Sequence, residues 1–262
     1  MTLPTPDWWL RLAERAQEPP LRPRRPLRIE SAALPIGSIE PQLAYHLRAA
    51  HLPLRLQEGV EVLTGPPDAA LADVARWMNE QGIGGPWRDE LLAVTDTDGT
   101  RRAAIERAAV RPLAIATFAV HLIGFTPQGC VWVQRRALDK ATDPGLWDTL
   151  MGGMVAANEA PDSALERETW EESGLHLAEL QTLQPVGRIS VRRPVRQGYM
   201  VEHSDVFEAL IPAALTPVNQ DGEVERFECL SPGSLVERLA DGQFTLEAAL
   251  MLAASLRRRG FL

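Results

Sequence analysis

The chain has 262 residues, 45% of them hydrophobic and 24% charged, which is enough for a sizeable core and more than one ordinary domain needs. A net charge of -8 with no offsetting basic stripe argues against a nucleic-acid backbone as partner. No run of about 18 apolar residues is available for a membrane span, and no basic region followed by an apolar stretch opens the chain, so neither a membrane partner nor a secretory leader is expected.

In chain order, Asp7 to Gln17 has the spacing of an amphipathic helix, with Trp8, Leu12 and Ala16 on one stripe. Pro19 to Pro26 interrupts it, and the short basic run Arg22 to Arg28, broken by prolines, reads as a solvated linker. Helical spacing resumes over Ile39 to His51. Two short extended pieces follow, Leu54 to Leu56 and Val60 to Leu63, joined by a Glu58-Gly59 turn. Pro66 to Gln81 reads as a helix, and Leu91 to Thr95 with Arg101 to Glu106 as a hairpin across Asp98-Gly99. From Leu113 the pattern turns to strands: Ile115 to Phe125, Val131 to Arg135, Leu150 to Val155, Val186 to Arg192, Val201 to Ile211 and Val224 to Leu230. Helices Pro232 to Ala240 and Leu246 to Arg258 close the chain. Cys130 and Cys229 lie in apolar contexts without metal-ligand spacing, which suggests reduced, buried thiols and a cytoplasmic protein. His46 and His51 match no metal-binding repeat. Periodicity alone gives a mixed α/β protein.

The most informative stretch runs from Gly153 to Leu175. Asp162 to Glu172 reads as a helix, with Asp162 and Ser163 supplying N-cap chemistry and Gly174 a left-handed C-terminal residue. On that helix Glu168, Glu171 and Glu172 stand at i, i+3 and i+4 and share one face. Carboxylates that close repel one another, more so as water is excluded, and oxygen-only ligands on a rigid element suit Mg²⁺ shared with phosphate oxygens. The whole pattern is Gly153, five residues, Glu159, seven residues, then Arg167-Glu168-Thr169-Trp170-Glu171-Glu172-Ser173-Gly174-Leu175. It resembles the Nudix box at every fixed position, with Thr169 standing where an aliphatic residue is usual.

The resemblance implies the α/β/α sandwich of the Nudix fold, with a mixed sheet, for residues 111–262. Residues 1–110 then form a smaller α+β domain, expected to pack over the Nudix sheet and cover the substrate pocket. The implied chemistry is hydrolysis of a diphosphate linked to another group, with Mg²⁺ as cofactor and Mn²⁺ as a substitute. By the same resemblance Glu168, Glu171 and Glu172 are metal ligands, with the Gly153 backbone adding an oxygen. Arg167 would hold a box carboxylate or merely pair with Glu171, and Glu159 would be a supporting carboxylate. Catalytic roles fall to Glu171, Glu172, Arg167 and one glutamate outside the box, for which Asp221-Gly222-Glu223-Val224-Glu225 offers Glu223 or Glu225. Lys140 is the only lysine and sits with Arg135 in a segment suited to phosphate.

Four further segments, Ile105 to Ala109, Val120 to Phe125, Arg135 to Gly145 and Asp221 to Glu225, are similar to the thiamin pyrophosphokinase-related Nudix proteins, as is the ending Leu256 to Leu262. That group hydrolyses thiamin diphosphate and its oxo and oxy forms to the monophosphate; no kinase domain is present here. Where the group has Asp-Asn before a Gly-Gly turn, this chain has Asp148-Thr149, and Trp147 replaces a smaller residue. Asp148 is thus a substrate-binding candidate. Trp147 and Trp132 either stack on a heteroaromatic ring or serve as sheet core and loop anchor. His121, flanked by apolar residues, reads as a core histidine. Rival readings are hydrolysis of a nucleotide sugar, dinucleotide or nucleotide, a diphosphate isomerase using Cys130, and a non-catalytic ligand sensor. A small-molecule diphosphate is the expected partner, and a homodimer is left open.

Overall fold

The computed structural model describes residues 5–262. Its first part is an α+β unit built from β1 (Arg25–Ile29), β2 (Pro35–Ile39), β3 (Leu54–Gln57) and β4 (Val60–Leu63) in the order β2-β1-β4-β3. Here the solvated linker expected at Arg22 to Arg28 is corrected. Leu27 and Ile29 alternate into the core at 1% exposure, so β1 forms despite its arginines and proline. Arg25 turns outward to pair with buried Glu61 at 3.0 Å, and Arg48 pairs with the same carboxylate. The helix expected from Ile39 is also shorter. Ile39 ends β2, and helix α2 (Pro41–Ala49) starts with Pro41 in its first turn, where a missing N–H costs nothing.

A third helix of the chain (Pro67–Glu80) and the hairpin of β5 (Leu91–Thr95) and β6 (Arg101–Glu106) complete this unit. The Asp98-Gly99 turn is fastened by the Asp96 carboxylate, which accepts the N–H groups of Asp98 and Thr100 at 3.1 and 3.0 Å. One apolar cluster runs through residues 27–115. The first helix, Asp7–Arg15, does not join it: Leu12 and Ala16 pack instead with the chain's last helix. The helices are therefore α1 (Asp7–Arg15), α2, α3 (Pro67–Glu80), α4 (Pro161–Ser173), α5 (Pro232–Ala240) and α6 (Leu246–Arg258).

The second part is a seven-stranded mixed sheet. Strands β7 (Thr117–Phe125), β8 (Val131–Arg136), β11 (Gln181–Val195), β12 (Gly198–Leu210) and β13 (Val224–Leu230) run in the order β11-β12-β7-β8-β13. Two short strands, β9 (Trp147–Asp148) and β10 (Met151–Met154), pair with β8 and β7 respectively. Only β12 and β7 run parallel among these pairs. Alternation along β7 divides its side chains between two cores. Val120 and Leu122 join Ala164 and Leu165 of α4 on one face, while Ile123 and Phe125 join Ala248 and Leu252 of α6 on the other. Helices cover both faces, giving the α/β/α sandwich.

Helix α4 departs from the expected capping. Its N-cap is Ala160 without a side-chain bond and Pro161 opens the first turn, so Asp162 lies inside the helix, where its charge still favours the N-terminus. The C-terminus is as expected: Gly174 has φ of 64° and donates its N–H to the Trp170 carbonyl at 2.8 Å.

Candidate active site

Strand β10 carries the glycines that meet α4. A Cβ at Gly153 would fall 1.9 Å from the Glu168 carboxyl carbon, so only glycine lets the carboxylate lie against the strand. One turn on, Glu172 is 2% exposed and accepts the Gly152 N–H at 2.9 Å and the Gln134 Nε2–H at 2.8 Å. Burial pushes the Glu172 carboxyl up to about 8 even though these bonds and Lys140 pull the other way. Glu168 is raised by the same cause against the pull of Arg167. Thr169 fits its apolar position because its hydroxyl donates to the Leu165 carbonyl at 2.6 Å, leaving the methyl in the core.

Arg167 binds three box carboxylates at once. Its Nε and Nη2 fork onto Glu159 at 2.9 and 2.8 Å, and Nη1 reaches Glu168 at 2.8 Å and Glu171 at 2.9 Å. Hydrogen bonding to Arg167 holds Glu159 below the usual carboxylate range, and the guanidinium is raised in turn. The two readings of Arg167 therefore coexist, since it pairs with Glu171 while ordering Glu159 and Glu168.

These groups border a cavity of about 720 Å³. Lys140 and Glu223 face each other across it as an ion pair, and that contact draws Glu223 below the usual range although burial works against it. Glu225 points elsewhere, pairing with Arg135 at 3.2 Å and Arg226 at 3.0 Å. Asp148 lines the cavity and is held by Arg136 Nη1 at 3.3 Å, an arginine that sequence reasoning passed over.

Two expected substrate contacts lie away from the cavity lining. Arg135 lies outside the cavity lining, with its Nε on the Gly145 carbonyl at 3.0 Å and its Nη1 on Glu225. Trp147 is 5% exposed in the core beneath α5 and α6, its ring flanked by the guanidiniums of Arg226 and Arg238 at 5.1 and 5.0 Å, so protein groups already occupy its surroundings. Trp132 packs against the α4-side core and is also absent from the lining.

The cavity continues to a second set of charges that the sequence did not reveal. Arg111 pairs with Glu202 at 2.9 Å, Thr117 donates to the same carboxylate at 3.1 Å, and Arg193 stands 3.6 Å from Glu247. His121 is buried here with its Nδ1 3.0 Å from the Thr149 hydroxyl, which itself donates to the Met151 carbonyl at 2.8 Å. The hydroxyl's single proton is thus engaged, and Nδ1 carries the hydrogen of a neutral ring that burial keeps unprotonated. A strand glutamate and arginine, and a glutamate inside the apolar run of α6, were the available signals, each weak alone.

Among the described residues no three acidic, imidazole or thiol groups already converge as a metal cluster. The donor chemistry still fits a hard dication. The donors are oxygens, only glycine at 153 lets the Glu168 carboxylate lie against the backbone, and Glu172 is a buried carboxylate with no ion-pair partner.

The NUDIX domain family profile matches residues 114–250, more than half of the chain. The chain belongs to the Nudix family. Among its relatives, Nudix hydrolase 20, chloroplastic, of Arabidopsis thaliana is 27% identical over 198 residues, covering 74% of this chain and 53% of the relative. The isopentenyl-diphosphate Delta-isomerase of Streptomyces coelicolor is 30% identical over 158 residues, covering 59% of this chain and 78% of the isomerase. The crystal structure of DR0079 from Deinococcus radiodurans superposes with a TM-score of 0.51 at 25% identity, over 65% of this chain and 98% of that one. This Nudix chain spans about half the length of the Arabidopsis relatives it matches. No helix among the described residues is long and apolar enough to cross a membrane.

Proposed function

We propose that the chain is a Mg²⁺-dependent Nudix hydrolase that cleaves the diphosphate of a small organic substrate, with Mn²⁺ able to substitute. The observation that carries this reading is the cradle at Gly153, where half-buried Glu168 meets the strand in the lining of a cavity of about 720 Å³ that also includes Lys140 and Arg136, with buried Glu172 bonded to Gly152 just behind that lining. When bound, the metal would offset phosphate charge and acidify water. Glu168, Glu171 and Glu172 would hold it, the Gly153 backbone lying alongside. Arg167 keeps three of the four box carboxylates in place through its contacts to Glu159, Glu168 and Glu171. Lys140 and Arg136 present positive charge to the diphosphate, and Glu223, released from Lys140 when phosphate arrives, can accept a proton.

The finer reading is a thiamin diphosphate-like substrate cleaved to the monophosphate, supported by the sequence similarity outside the box. A division near residue 111, with the first unit covering the pocket, is part of the same proposal; Glu90 and Arg107 of that unit line the cavity. Hydrolysis is favoured over isomerisation because neither Cys130 nor Cys229 lies in the cavity lining. The test is a Mg²⁺-supplemented panel of thiamin, oxothiamin and oxythiamin diphosphates beside ADP-ribose, NADH and nucleoside diphosphates. Preferential release of a thiamin-type monophosphate supports the finer reading. Turnover of nucleotides alone keeps the hydrolase and removes the thiamin assignment, and no metal-dependent turnover of any compound rejects both.

A further inference from the structure

The end of the cavity away from the box holds an unusual set of polar atoms. Arg111 Nη1, Arg193 Nε and Glu247 Oε1 are all buried and have no hydrogen-bond partner. All three residues line the cavity, and Glu247 as a whole is only 9% exposed. An unsatisfied buried donor or acceptor is costly, and folded proteins keep few of them. Arg111 already gives its other nitrogen to Glu202, and Arg193 lies 3.6 Å from Glu247, beyond hydrogen-bond distance. The formal charges also balance, two guanidiniums against two carboxylates, so neither a phosphate nor an ammonium is called for.

What these atoms lack is an uncharged group with an acceptor beside an N–H. An acceptor would take the Arg111 and Arg193 hydrogens, and an adjacent N–H would donate to Glu247. We infer that Arg111, Arg193 and Glu247 form a specificity subsite that binds, through an amide-like edge, the planar nitrogen heterocycle of the substrate. This rests on the reading of the box end as the diphosphate site. The edge is common to aminopyrimidines, uracil and purines, and the subsite recognises that shared chemistry.

The test is equilibrium binding by calorimetry, with and without Mg²⁺, of thiamin monophosphate and the uridine, cytidine, adenosine and guanosine 5′-monophosphates. Ribose 5-phosphate and benzyl phosphate serve as controls lacking the edge. At least one edge-bearing compound should bind wild type about tenfold or more tighter than both controls, and Glu247→Ala should remove that margin while leaving the controls unchanged. Thermal melts of Glu247→Ala and Glu247→Gln accompany this. A buried carboxylate beside Glu202 that makes no hydrogen bond and only a long contact to Arg193 costs the fold more than it returns, so the melting temperature of Glu247→Gln should equal or exceed wild type. The inference is overturned if no ring compound exceeds the controls, or if the margin survives in Glu247→Ala. Because binding is read without turnover, absent hydrolysis in the panel would count against the enzymatic reading alone.

Discussion

The two ends of the cavity treat charge in opposite ways. At the box end Arg167 satisfies Glu159, Glu168 and Glu171 together, and Glu172 takes two N–H groups, while among the described residues Gln134 Oε1 is a buried atom without a partner there. At the far end three buried polar atoms have no partner. The box end is pre-ordered by a single contiguous segment and so is organised before anything binds. The far end is gathered from Arg111 ahead of β7, from β11 and from α6, and its polar atoms have no partner within the protein. On the proposed reading, chemistry is separated from selection along one cavity.

The largest expected effect lies at the box end. Glu172→Gln keeps the shape of the buried side chain and its contact with Gly152 but removes the carboxylate. Turnover should fall by about 10³-fold or more while the melting curve keeps its cooperativity. Near-normal turnover in this variant would sink the assignment of the cradle as the reaction centre.

Trp147→Ala separates packing from recognition. Removing a ring buried among Phe244, Leu246 and the neighbouring core should cost about 3–5 kcal/mol of stability in denaturant unfolding. KM for any accepted substrate should hardly change at a temperature where the variant remains folded. A large rise in KM with little loss of stability would restore Trp147 as a stacking platform.

Arg167→Ala tests whether pre-ordering matters at the box end. With Glu159, Glu168 and Glu171 released, activity should drop by about 10–100-fold, chiefly in kcat. Added guanidinium should recover part of the loss if positioning is the cause. An unchanged kcat would reduce Arg167 to a surface ion pair.

The same contrast explains what could be read from the residues alone. The box helix, its left-handed Gly174 and the three-carboxylate face follow from spacing within one helix, so they were legible; β13, α5 and α6 fall where patterning put them. Strand β1 was hidden because its arginines and proline mask a two-residue alternation of Leu27 and Ile29 that only a sheet partner makes decisive. Trp147 stayed open between stacking and anchoring because sequence cannot say on which side of a sheet a loop anchor closes. Glu202 and Glu247 were invisible for a related reason: each is an ordinary acidic residue in its own element, and becomes notable only when β12 and α6 bring both to one cavity.

The smallest effect is a pH dependence confined to the far end. Burial and the neighbouring Glu202 charge raise Glu247 above the ordinary glutamate range, against the opposing pull of Arg193. A carboxyl whose pKa is higher in the folded state than in the unfolded chain contributes stability that is complete below the ordinary range and lost as pH rises through the raised value. Wild type should therefore lose stability relative to Glu247→Gln between pH about 5 and about 8, by on the order of 1 kcal/mol. Glu172 titrates in both proteins and drops out of the difference, so the comparison reads the far-end pair of Glu247 and Glu202. A ligand donating an N–H to Glu247 should favour its charged form and flatten the wild-type slope towards that of the variant. Parallel melting profiles for the two proteins, with and without ligand, would mean that Glu247 keeps an ordinary pKa and that the far end is already satisfied without a substrate.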